Sequence, residues 1–275
     1  MQFSTISAGS VRLGNVHYNP TNNNLYWLEG RPQEGGRNVL CKYAPTDANK
    51  SERDGIDIMS SKDENARTRV HEYGGGAIIF GKDTIYYSAF STQRLCQLLE
   101  DGSSKPITPD VENCQFRYAD GVLSNDGKTI YCIREDHTKP EPINVVNEVV
   151  SIDIESGEMK VLATGNDFYS APRLSPDGKQ IAYITWNHPN MPWDATELRV
   201  VDISDNECES NKSSDHKLIA GEDGDTSVIQ PMWHPDSGEL YYISDKSGFY
   251  NIYRAGYEPS ILPMEKDFGG SAPGW

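Results

Sequence analysis

The sequence predicts an all-β fold, a partial β-propeller of about five four-stranded blades, and three observations carry that expectation. A unit of turn, aromatic-bearing apolar strand and second strand recurs along the 275 residues. The composition, with 15 Tyr, 7 Phe, 5 Trp, 24 Gly and 16 Pro, suits short strands between tight turns. No long stretch carries a sustained helical period.

The clearest copies run Pro172 to Gly178 followed by Ile181-Ala182-Tyr183-Ile184, and Pro231 to Gly238 followed by Leu240-Tyr241-Tyr242-Ile243, with Ser237 as a one-residue insertion. A weaker copy runs Gly121 to Gly127 and on to Ile130-Tyr131-Cys132-Ile133, and degenerate ones place strands at Leu25-Tyr26-Trp27-Leu28 and Ile85-Tyr86-Tyr87-Ser88. Asp-Gly supplies the positive φ that a hairpin turn needs. Second strands are expected at Val39–Tyr43, Arg94–Leu98, Val149–Ile154, Leu198–Ile203 and Asn251–Arg254. Ser91 to Glu100 could also form a short helix; its place in the repeat favours strand. The expected blades span about 12–60, 70–108, 117–164, 168–220 and 228–263 of one incomplete propeller domain covering 1–275.

With 25 basic and 41 acidic residues the net charge is −16, which repels phosphate backbones and anionic headgroups. Nucleic acid and membrane are therefore not expected partners. The acid-rich stretch from Asp202 to Asp225 reads as a solvated loop surface. Five scattered cysteines indicate neither a disulfide framework nor a zinc site, no leader follows Met1, and a reducing cytoplasm is the expected location. The six histidines show no metal-ligand spacing, so no metal and no cofactor is expected. Calcium held by carboxylates from several blades, as in lactonase-like propellers, stays open as the least favoured reading.

Several strings add a family resemblance. Trp27 to Arg37, Arg67 to Gly76, Arg117 to Gly121, Arg134 to His137, Trp186 to Asp194 and Asp267 to Gly270 occur in an order that resembles the N-terminal propeller of the prolyl oligopeptidase superfamily of serine peptidases, in its dipeptidyl aminopeptidase or acylaminoacyl peptidase branch. The resemblance implies a propeller, commonly of seven blades, capping an α/β-hydrolase domain with a Ser, Asp and His triad. The chain ends at Trp275 before any such domain, so it is expected to be truncated and inactive alone. Peptide substrates would be met through the missing domain. No G-x-S-x-G elbow occurs, and Gly269 to Pro273 is a near miss with Pro at the last glycine, so no catalytic residue is expected.

Arg69, His71, Glu72 and Tyr73 put four polar or amphipathic side chains into five residues at an expected strand start, where burial without partners is unfavourable. They form either a satisfied structural network or part of a substrate channel. By analogy with related aminopeptidases, Glu72 is the candidate to hold a substrate amino group. Gly74 to Gly76 reads as close strand packing rather than a phosphate loop. Trp186 and Trp193 flank an ordered loop that either clasps the blade or lines an entrance to the hydrolase domain. The rival reading is a free-standing binding module, and open sheet edges would favour self-association.

Overall fold

The computed structural model describes residues 10–43, 56–203 and 210–256. The chain divides into two compact units, 1–119 and 120–275. Among the described residues no helix is long and apolar enough to cross a membrane.

Unit 1 holds two four-stranded antiparallel sheets. The first is β1 (Arg12–Asn19), β2 (Asn24–Arg31), β3 (Arg37–Tyr43) and β4 (Ile56–Asp57) in spatial order. The second is β5 (Ile78–Phe80), β6 (Ile85–Ser88), β7 (Leu95–Leu98) and β8 (Ser104–Pro106). Strand therefore prevails over helix within Ser91 to Glu100, because Leu95–Leu98 pairs with Ile85–Ser88 on one side and Ser104–Pro106 on the other.

Unit 2 takes up the rest. Its sheets are β9 (Phe116–Leu123), β10 (Thr129–Asp136), β11 (Val146–Asp153) and β12 (Met159–Ala163), then β13 (Phe168–Leu174), β14 (Gln180–Trp186), β15 (Glu197–Asp202) and β16 (Lys217–Ala220). β9 begins just before the boundary between the units. The fifth sheet has three strands among the described residues, β17 (Val228–Trp233), β18 (Leu240–Ser244) and β19 (Asn251–Arg254). The stretch expected to complete it, and Gly269 to Pro273, lie outside the described residues.

Local chemistry explains the turn between the first and second strands of each sheet in unit 2. At Ser124-Asn125-Asp126-Gly127 the Gly127 N–H donates to the Ser124 carbonyl at 2.9 Å, and Ser124 Oγ donates to Asp126 Oδ1 at 2.6 Å. Ser175-Pro176-Asp177-Gly178 repeats both bonds at 2.9 and 2.6 Å, with Gly178 at φ 75° where glycine is least strained. In the fifth sheet the inserted Ser237 lengthens the turn, and His234 Nδ1 accepts the Asp236 and Ser237 N–H groups instead.

The core lies between neighbouring sheets. Ala182, Ile184, Trp186, Leu198 and Val200 of the fourth sheet meet Val228, Leu240, Tyr242 and Tyr253 of the fifth. In unit 1, Tyr26, Leu28 and Leu40 meet Tyr87 and Cys96 in the same way. Ile181 and Tyr183, on the opposite face of β14, are buried too, so this strand reads as a continuous apolar run rather than an alternation. Each fully buried large side chain of this kind stabilises the fold by about 1.5–3 kcal/mol.

Every first strand except β5 carries the same distortion. Register breaks occur between Gly14 and His17, Ser170 and Arg173, and Ile229 and Met232. Asn15, Ala171 and Gln230 are left-handed at φ 51°, 50° and 51°, and Asp120 of β9 matches them at 53°. These are β-bulges, which bend a strand and redirect the side chains that follow.

Candidate functional site

The segment carrying Arg69, His71, Glu72 and Tyr73 is a tight turn leading to β5, not the strand start that its sequence suggests. The Glu72 N–H donates to the Arg69 carbonyl at 2.9 Å and the Gly74 N–H to the Val70 carbonyl at 2.8 Å. Closing it requires His71 and Glu72 at φ 55° and 63°, and Gly74 at 100°. Two consecutive left-handed residues other than glycine are strained by roughly 1–3 kcal/mol each, so neighbouring groups must hold them. Gly74 thus serves turn geometry, rather than the close strand packing expected of the glycine run.

Two residues that sequence reasoning left out do the holding. Gln93, fully buried, accepts the Arg69 N–H on Oε1 at 2.7 Å and donates to the Phe90 carbonyl at 2.8 Å. Arg117 Nη1 donates to the Arg69 carbonyl at 3.0 Å and to Glu72 Oε1 at 2.6 Å. The Arg67 and Arg69 guanidinium groups lie 5.1 and 5.7 Å from the centre of the Phe90 ring. The His71 and Tyr73 rings are 5.6 Å apart.

The four predicted residues are therefore together, with Arg69 and His71 half-buried and Glu72 and Tyr73 turned to solvent. The Glu72 side chain keeps 77% of its surface accessible although it is paired with Arg117. A carboxylate so oriented can accept an ammonium group while Arg117 fixes its position. The signal for Arg117 was present in the string Arg117 to Gly121; nothing in sequence spacing points to Gln93.

In unit 2 the two tryptophans separate. Trp186 ends β14, is 4% exposed, and stacks on Phe168 with centroids 5.3 Å apart. Trp193 is 53% exposed on the loop from β14 to β15. That loop is rigidly laced. Asn187 Oδ1 accepts the Asp167 N–H, Asp167 Oδ2 accepts the His188 N–H, and Asp194 Oδ2 accepts the Met191 N–H, each at 2.8 Å. Ser227 Oγ donates to the Pro192 carbonyl at 2.8 Å, tying the loop to the segment that leads into β17.

The equivalent connection between second and third strands exposes apolar side chains in every sheet of unit 2. Ile143 stands between β10 and β11 with Val146 at the start of β11, Met191 and Trp193 between β14 and β15, and Phe249 between β18 and β19. Asn147 Nδ2 donates to the Asp167 carbonyl at 2.7 Å, so the third sheet's connection meets the start of the fourth as the fourth's meets the fifth. These connections form one laced rim. A 380 Å³ groove lined by Tyr131, Asp153, Lys160 and Ile203 also lies in unit 2, and none of the predicted site residues lines it. Among the described residues no group of three or more His, Cys, Asp or Glu is placed to hold a metal ion.

No protein-family model matches the chain, and no curated protein matches it. Solved structures do. A puromycin-hydrolysing peptidase of Mycobacterium tuberculosis is 30% identical with a TM-score of 0.80, over 96% of this chain and 41% of that one. A puromycin hydrolase is 26% identical with a TM-score of 0.75, over 91% of this chain and 38% of that one. Prolyl oligopeptidase B from Galerina marginata, at 12% identity and a TM-score of 0.53 over 90% of this chain and 36% of that one, shares the fold alone. The chain thus spans about two fifths of the length of the peptidases it matches. Five blades with these strand registers, and a matched length confined to one part of such peptidases, make this chain a β-propeller of the prolyl oligopeptidase family, homologous to the propeller domain of its puromycin-hydrolysing members.

Proposed function

We propose that this chain is the noncatalytic propeller portion of a serine peptidase-like protein of the dipeptidyl or acylaminoacyl type, which gates peptide access to a hydrolase domain. The carrying observation is the rim of unit 2. Ile143, at 93% exposure, and Trp193, at 53%, are large apolar side chains held out on hydrogen-bonded loops. Rigid exposed aromatic and aliphatic anchors are the residues from which protein interfaces draw most of their energy. On this reading the rim seats the hydrolase domain, and Glu72, steadied by Arg117, meets the amino end of an incoming peptide. Buried free thiols at Cys41, Cys96 and Cys132 suit a reducing cytoplasm.

A chimera tests this. Replacing the matching segment of the Mycobacterium tuberculosis puromycin-hydrolysing peptidase with this chain should preserve puromycin hydrolysis. Adding Ile143→Ser with Trp193→Ser should lower it roughly tenfold or more, as expected for loss of two interface anchors. An active chimera indifferent to both changes would refute the rim's role, and labelling of the isolated 275-residue chain by a serine-directed probe would refute the noncatalytic assignment.

A second reading, self-association as a free-standing binding module, is favoured by one observation. β1 leaves Leu13, Val16 and Tyr18 at 66%, 69% and 55% exposure on an edge strand. Sedimentation at rising concentration should then show association that Leu13→Lys with Val16→Lys abolishes; a monomer at all concentrations would exclude it.

A further inference from the structure

The first strand of the fourth sheet, an edge strand, holds a cation that the rim does not use. Ser170 to Arg173 is the bulged part of β13, and the left-handed Ala171 followed by Pro172 redirects the chain just before Arg173. An alanine at positive φ is strained by about 1–2 kcal/mol. Two neighbours fix it: the Ala171 N–H donates to Asp120 Oδ2 at 3.3 Å, and Trp233 Nε1 donates to the Arg173 carbonyl at 3.0 Å. The backbone carrying Arg173 is thus anchored from the sheets on both sides.

Its guanidinium is far less committed. Nη1 donates to the Pro172 carbonyl at 2.8 Å, and among the described residues neither Nε nor Nη2 has an acceptor and no carboxylate lies within ion-pair distance. Burial pulls the group below the usual arginine range, against a weaker opposing pull from the Asp120 carboxylate. Arginine nevertheless stays charged at any working pH. A half-buried cation with two open donors in a planar fork gains from an anion that supplies two oxygens.

We infer that Arg173 is an anion receptor on the edge strand β13 of the fourth sheet, taking a peptide carboxylate in a bidentate grip through Nε and Nη2. The carboxylate can belong to a chain terminus or to an acidic side chain; both present the same two oxygens. β13 starts at the rim and ends at the Ser175 to Gly178 turn, so Arg173 sits toward the end of the sheet remote from Trp193. The inference rests on the peptide-handling reading above and adds a chemical group that the peptide must carry.

Titration calorimetry on the whole chain tests it with four probes: N-acetyl-trialanine as the free acid, the same peptide as its amide, N-acetyl-Ala-Asp-amide, and inorganic phosphate. The free acid should bind roughly tenfold tighter than the amide, the worth of a charge-assisted pair. Binding of the Asp peptide as well would assign the receptor to acidic side chains as much as to termini. Arg173→Gln should erase the acid-over-amide preference and Arg173→Lys should retain part of it, with melting curves confirming that both variants fold. Should Arg173→Gln fail to fold, the Trp233 indole N–H shift on acid addition gives the same answer: present in the parent, reduced but retained in Arg173→Lys, with no shift in the parent overturning the inference. Equal binding of acid and amide, binding of neither, binding of phosphate alone, or a preference that survives Arg173→Gln would overturn the inference. Failure of the chimera with this preference intact would sink the gating reading alone.

Discussion

Arg31 links β2, β3 and β4 through charge. It reaches Glu29 at 2.7 Å, Glu34 at 3.2 Å and Asp57 at 2.6 Å, while Arg37 takes the other Glu34 oxygen at 2.7 Å. Hydrogen bonding to Arg31 holds Asp57 below the usual carboxylate range, and Arg37 followed by Arg31 does the same for Glu34. Carboxylates with lowered folded values stabilise the fold above their unfolded values near 4 and lose that effect as pH falls through the folded ones. Arg31→Ala should therefore destabilise the chain by about 1–3 kcal/mol at pH 7, the partial exposure of the pair keeping it below a fully buried one, with a smaller deficit at pH 3. Urea midpoints at the two pH values measure it; equal deficits would contradict the electrostatic account. Cys41 lies beside this cluster, and burial together with Glu29 and Asp57 pushes its thiol up to about 12, leaving it a protonated core group.

His216 provides the opposite pH sensitivity. Its Nδ1 bonds to Tyr183 Oη at 2.7 Å, its Nε2 to the Ser210 carbonyl at 2.8 Å, and burial lowers its value. The unfolded chain then takes up the proton first, near 6.5, so this contribution is whole above that pH and shrinks as pH falls below it. Denaturation midpoints should decline from pH 7 to 5, and His216→Gln should remove that part of the decline. A variant whose profile matched the parent between these limits would exclude His216 as the cause.

At the scale of elements, packing and turn geometry set the tolerance to change. Ile184 is 2% exposed in the core between the fourth and fifth sheets, while Ile143 is 93% exposed on the rim. Ile184→Ala should cost about 2–5 kcal/mol and Ile143→Ala close to nothing. Gly221, just after β16, sits at φ +90°, and a Cβ at this position would fall 2.0 Å from the Thr196 carbonyl oxygen. Gly221→Ala should destabilise by about 3 kcal/mol, overpacking and left-handed strain together. Calorimetric melting of the three variants checks the ranking, and a tolerated Gly221→Ala would show that the 196–197 backbone can yield. The strands around 25, 85, 130, 181 and 240 were legible because Asp-Gly turns and aromatic apolar runs are local signals. The turn at Val70 to Tyr73 was not. Its left-handed His71 and Glu72 carry no glycine to announce them, and they are held by Gln93 and Arg117, which lie 24 and 45 or more residues away along the chain. Trp186 and Trp193 look alike in sequence, and only the end of β14 between them decides which is core and which is rim.

At the scale of the whole molecule, the described residues form five separate sheets, each with its middle strands covered on both sides by neighbours in its own sheet. The recurring unit was enough to foresee that architecture, and the family was foreseen from the ordered strings, such as Arg67 to Gly76 and Trp186 to Asp194, that resemble it. The rim and Arg173 depend on how loops and bulges redirect side chains, which no periodicity reports. Hydrogen exchange read by mass spectrometry at peptide resolution tests the architecture most directly. Slow exchange should appear as five clusters, on β2–β3, β6–β7, β10–β11, β14–β15 and β18, separated by fast-exchanging turns at 124–127, 175–178 and 234–238. Uniformly fast exchange through β6 and β7, or one continuous protected block running across those turns, would contradict it.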